Sequence, residues 1–95
     1  MARYTVRIEV WLREGLVDPE GRTVSEALSG LGFPVRSARA GRIYEISVDA
    51  PGAEEAVSMA EGMCRELLAN PVRDSCRVEV IGRRDPSRRP RSPPG

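Results

Sequence analysis

The chain opens on a strict alternation. In "RYTVRIEVW" (3 to 11), Tyr4, Val6, Ile8 and Val10 fall on one face; Arg3, Thr5, Arg7, Glu9 and Trp11 fall on the other. A period of two over that length predicts a strand with one face on a core. Trp11 is the exception. It sits on the polar face near the strand end, a place suited to cover by another chain.

After the strand the period changes. "LREGLVDPEG" is a loop leading into a helix, where Asp18 can cap and Pro19 suits the first helical position. A second start signal overlaps it, because "TVSE" (Thr23 to Glu26) fits a capping box. Val24, Ala27, Leu28 and Leu31 follow at i, i+3, i+4 and i+7, and Gly32 supplies the stop. The helix therefore ends near Leu31 and starts between Pro19 and Val24. "FPVRSARAGRIYEISVDA" then reads as two strands around a tight turn at Ala40-Gly41, the second placing Tyr44, Ile46 and Val48 on one face. "PGAEE" opens a second helix. Its apolar stripe is Ala56, Ala60, Met63, Cys64, Leu67 and Leu68, and Glu54 and Glu55 lie in the first turn, where the helix dipole favours them. Asn70-Pro71 ends it, since the residue before a proline avoids the helical region. "CRVEVI" closes with Cys76, Val78 and Val80 on one face.

The order is β-α-β-β-α-β, the split, ferredoxin-like pattern of the α+β class. It predicts an antiparallel sheet with two helices on one face and the other face bare. The domain spans 1 to 82. Residues 83 to 95, "RRDPSRRPRSPPG", hold five arginines and four prolines with no apolar anchor, and are expected to be a disordered tail.

Charge sharpens this division. All 15 basic residues of the 95 are Arg, and the formal net charge is +1. The tail has five arginines against one acid and carries +4; the body is mildly acidic at −3. The tail alone could attract polyanions nonspecifically. The sheet lacks the aromatic cluster that RNA-recognition domains of this topology require, with Tyr44 expected to face the core.

Candidate chemistry is sparse. There is no His and no Lys, which removes Ser-His triads, Schiff-base chemistry and His-containing metal sites. Cys64 and Cys76 form no C-x-x-C motif and are expected to be reduced, packed thiols. "GLGF" (30 to 33) follows a helix instead of opening one, so it is no phosphate loop. The pairs Glu54-Glu55 and Glu61-Glu66 read as a solvated helix face. No catalytic, cofactor-binding or metal-binding residue is expected. No run approaches the ~20 apolar residues that span a bilayer, and no leader-like segment is evident, so the expected location is the cytoplasm.

Four segments together resemble a known family. "EGLVDPEGRTVSEALSGLGF" (14 to 33), "AGRIYEISVD" (40 to 49), "MCRELLANPV" (63 to 72) and "VEV" (78 to 80) are similar, in colinear order, to the PurS family. These are the small subunits of bacterial and archaeal phosphoribosylformylglycinamidine synthase. Arg13 and Arg42 stand where the family pattern usually has Lys. The resemblance implies a non-catalytic subunit of a glutamine-dependent, ATP-consuming ligase in purine biosynthesis. That enzyme makes formylglycinamidine ribonucleotide from formylglycinamide ribonucleotide. The implied partners are a PurQ-type glutaminase that releases ammonia and a PurL-type synthase subunit that uses ATP and magnesium. The chain would bind no cofactor, would join the two, would help enclose the ammonia route, and would self-associate as a dimer or dimer of dimers. The rival reading is a small ferredoxin-like regulatory domain that binds an amino acid or nucleotide.

Candidate interface residues are Trp11, Asp18, Gly41, Arg42, Tyr44, Asn70 and Pro71. They belong to the loop before the first helix, the turn near Gly41 and the exit of the second helix.

Overall fold

The computed structural model describes residues 1–85. Strand β1 (Ala2–Leu12) leads through a loop to helix α1 (Pro19–Gly30). Strand β2 (Gly41–Ala50) follows, then helix α2 (Ala53–Met63), a π-helical turn (Cys64–Leu68) and strand β3 (Asp74–Arg84). The sheet is antiparallel, with β1 in the centre: β2-β1-β3.

The core follows from the alternation in β1. Tyr4, Val6, Ile8 and Val10 are buried on one face, against Ala56 and Ala60 of α2 and Cys64 of the π turn. Val6 and Ile8 are fully buried, which contributes about 1.5–3 kcal/mol each. The small residues of α2 let its backbone lie close over the sheet. Tyr44, Ile46, Val48, Val78 and Val80 complete the layer from the flanking strands, half-buried.

The α+β class, the antiparallel sheet and the two helices are as expected, and the strand order is that of the split β-α-β pattern. Three details differ. Residues 33–40 form no strand, and Gly41 and Arg42 open β2, paired with Trp11 and Val10, where a hairpin turn was expected. Pro34 lacks an amide proton for a ladder, and Arg36, Ser37 and Arg39 offer little apolar surface. The segment instead returns along its own helix: the Ala40 amide donates to Asp18 Oδ2 at 3.0 Å, and the Ala38 carbonyl lies against Gly21. The outer edge of β2 is thereby left open.

Second, of the two helices α2 alone packs on the sheet among the described residues; α1 projects from it. Val24, Leu31 and Phe33 are exposed, Leu31 by 75% and Phe33 by 56%. The radius of gyration, 18.1 Å, compares with about 12 Å for a compact chain of this length. The projecting helix is nevertheless well formed. Asp18 caps its start by accepting from Gly21 N at 2.9 Å. Its end is a Schellman motif, with Phe33 N to Leu28 O at 3.1 Å, Gly32 N to Ser29 O at 3.0 Å and Gly32 at φ 97°. The amphipathic stripe thus makes a helix whose apolar face has no partner within the described chain.

Third, β3 runs to Arg84. Arg83 pairs with Tyr4 and Arg84 with Arg3, after a bulge opposite Thr5 and Val6. Arg83 lies 5.6 Å from the Tyr4 ring centroid and pairs with Asp85 at 2.9 Å. The tail boundary expected at 82/83 is therefore too early, because an aromatic face and a neighbouring acid give Arg83 a place in the strand. The remainder of the expected tail, 86–95, lies outside the described residues. Among the described residues no helix is long and apolar enough to cross a membrane.

Candidate subunit interface

Strand ends determine where the candidates meet. β1 finishes at Leu12, β2 begins at Gly41 and β3 begins at Asp74, so three connections converge on one end of the sheet. Trp11, Asp18, Gly41, Arg42, Asn70 and Pro71 all lie there. Tyr44 does not join them. It stands opposite Ile8 on the core side and packs against the core.

The placement of Trp11 requires a glycine at position 41. A Cβ at Gly41 would lie 2.6 Å from Trp11 Cε3 and 2.9 Å from Val10 O. The missing side chain lets the indole lie across the adjoining strand. Trp11 Nε1 donates to Glu9 Oε1 at 3.1 Å, and the Arg39 guanidinium sits 4.7 Å from the ring centroid. Such stacking is worth about 0.5–1 kcal/mol at exposed sites. The tryptophan on the polar face is thus held by a carboxylate at its N–H edge and a cation over its ring.

Asp18 joins the start of α1 to the start of β2. Its carboxylate accepts from the amides of Ala40 and Gly21. These two bonds, with the nearby Arg39 charge, hold its carboxyl below the ordinary value of 3.8. A groove of about 240 Å³ runs past Leu12, Val17, Asp18, Gly41, Arg42 and Asp74.

The exit of the second helix closes the other side of this end. At the π turn, Ala69 N donates to Cys64 O at 3.0 Å, a bond one residue wider than the α-helical pattern. The chain then turns at Asn70-Pro71. Asn70 N donates to Asp74 Oδ2 and Asn70 Oδ1 accepts from Val72 N, both at 3.0 Å. Arg13 Nη2 donates to Pro71 O at 2.9 Å, and Arg13 N donates to Arg73 O at the same distance. Arg13, Arg39 and Asp74 were not among the candidate interface residues, although Arg13 was noted as standing where the family pattern usually has Lys. Arg39 acquires its role only through the Gly41–Trp11 register. Arg13 meets Pro71 across 58 positions, a separation that leaves no local signal.

Among the described residues no helix covers the opposite face of the sheet. Along it, Arg7 stands between Glu45 and Glu79 in register, and exposed Ile43 and Ile81 flank the charged rows. Arg7 Nε is buried, without a hydrogen-bond partner among the described residues, and lies 3.8 Å from Glu9 Oε2. Nowhere among the described residues do three metal-ligating side chains come together. The geometry offers shape, a strand edge and apolar surface.

Comparison with known proteins accords with that character. The family model described as PurS, phosphoribosylformylglycinamidine (FGAM) synthase, matches residues 5–82. The PurS subunit of Methanocaldococcus jannaschii is 33% identical over 81% of this chain and 94% of its own length. That of Bacillus subtilis is 35% identical over 81% and 92%. A chain in the structure described as PurLQS from Thermotoga maritima superposes with a TM-score of 0.78 at 32% identity, over 85% of this chain and all of that one. The chain belongs to the PurS family and is a subunit of phosphoribosylformylglycinamidine synthase, a glutamine-dependent ligase.

Proposed function

We propose that this chain is the adaptor of the synthase: it joins a PurQ-type glutaminase to a PurL-type synthase subunit and helps enclose the path of ammonia between them. The observation that carries this reading is the convergence of Trp11, Asp18, Gly41, Arg42, Asn70 and Pro71 at one end of the sheet, beside a helix whose apolar face is uncovered. The relation to the PurLQS structure from Thermotoga maritima supports the choice of partners. Ammonia is small and readily protonated, so its transfer calls for exclusion of water, which shape and burial provide without reactive side chains. ATP and magnesium belong in this reading to the large subunit, and this chain binds no cofactor. The site of action is the cytoplasm.

Self-association is part of the same reading. The exposed stripe of α1, the open edge of β2 and the bare sheet face are unfinished surfaces for a monomer. A dimer, or a dimer of dimers, would cover them.

The test is assembly. The full chain is mixed with PurQ-type and PurL-type subunits and followed by size exclusion with light scattering. Co-elution of all three is expected. A PurL–PurQ complex that forms equally well without the chain and excludes it when added would overturn the adaptor reading.

A further inference from the structure

Cys64 and Cys76 approach each other from opposite sides of one interface. Cys64 begins the π turn and is buried, 6% exposed, among the residues that face the sheet. Cys76 lies near the start of β3, opposite Val10 and on the same side of the strand as Val78 and Val80. Near that strand end α2 no longer covers it, so its side is open to water. Both thiols line one groove of about 500 Å³ with Arg13, Glu61, Arg65 and Pro71, and Cys76 is near enough to act on the Cys64 thiol. A small oxidant can therefore reach Cys76, while Cys64 waits behind it.

We propose that Cys64 and Cys76 form an oxidisable dithiol, which a peroxide converts to one intramolecular disulfide joining the π turn to β3. The Cys76 thiolate attacks one peroxide oxygen; the O–O bond breaks, Cys76 becomes a sulfenic acid and water leaves after protonation. Cys64 sulfur then attacks Cys76 sulfur. The S–O bond breaks, the Cys64 proton leaves with the hydroxide as water, and the S–S bond forms. Two thiols and one hydrogen peroxide give one disulfide and two waters. The order of events follows from burial. Desolvation, then the neighbouring Cys76, pushes the Cys64 thiol up to about 12, so it is a poor first nucleophile. The closed disulfide brackets the segment 65–75 that carries Asn70 and Pro71, and so fixes the helix exit at the candidate interface.

The experiment treats the reduced full chain with hydrogen peroxide, quenches at intervals, and maps thiols by alkylation and mass spectrometry, with dimedone present in a parallel series. Expected are a linked peptide pair containing Cys64 and Cys76, a loss of two hydrogens per chain, and full reversal by dithiothreitol. In Cys64→Ser, dimedone-trapped Cys76 rises several-fold over wild type because no resolving thiol remains. In Cys76→Ser, Cys64 stays reduced. Should the serine disturb packing at 64, Cys64→Ala replaces it, matching the alanines that α2 already buries at 56 and 60. The proposal is overturned if wild-type Cys76 proceeds to sulfinic acid or links to a second chain while Cys64 remains free. It is equally overturned if dimedone traps Cys76 to the same extent with and without Cys64.

Discussion

Gly41 decides where Trp11 lies, and Trp11 decides where Arg39 lies. The Gly41→Ala change puts a methyl group against both the indole and the Val10 carbonyl, and overpacking of this kind costs about 1–3 kcal/mol. Denaturant unfolding should show that loss. Trp11 is the chain's single tryptophan, so its emission should shift to the red as the ring is pushed into water; an unchanged spectrum would contradict the contact. Asp18 gives a second residue-scale test, through pH. Its folded value is lowered by the Ala40 and Gly21 amides, so its ionised form contributes stability above the ordinary value of 3.8. That contribution is lost as pH falls through the lowered folded value. Asp18→Asn keeps a capping oxygen but cannot titrate. The stability gap between wild type and Asp18→Asn should be open at neutral pH and close in the acid range. A gap that stays constant would show that the charge contributes nothing.

At the scale of elements, local signals were legible and long-range ones were not. The period of two in β1 and the D-P start and Gly32 stop of α1 are properties of neighbouring residues, and the structure follows them. The fate of 33–40 depended on whether a partner strand could outcompete the Asp18 carboxylate and the start of α1, and no pattern within the segment states that. The stripe on α1 shows that the helix has an apolar face without saying what covers it. The candidate site was partly readable because caps, turns and helix exits cluster at strand ends. Tyr44 fell outside it for the reason its alternation already implied, a place on the core side. The exposed stripe yields a direct expectation. Changing Leu31 and Phe33 together to Asp removes apolar surface that touches little within the chain, so the secondary structure should survive. Self-association should weaken by at least an order of magnitude in sedimentation, since loss of a central apolar anchor typically costs ~2 kcal/mol or more. Association unchanged by the double change would place the contact between copies elsewhere.

For the whole molecule, the chain reads as a thin layer built around a small core, with more of its surface arranged for contact than for chemistry. Among the described residues the sheet carries one helix, leaves one face and both edges open, and extends a second helix away from its own core. A body of this kind gains stability from whatever covers it, and coupling of fold to assembly follows by mass action. It also follows that the chain should matter to transfer between active centres and not to the reaction at either one. The most direct measurement compares synthase turnover with glutamine and with free ammonia, in a reconstituted mixture of PurQ-type and PurL-type subunits with and without this chain. Omitting the chain should abolish most glutamine-dependent turnover and leave ammonia-dependent turnover largely intact, because free ammonia bypasses the enclosed route. Full glutamine-dependent turnover in its absence, or an equal fall with both nitrogen sources, would contradict the adaptor role.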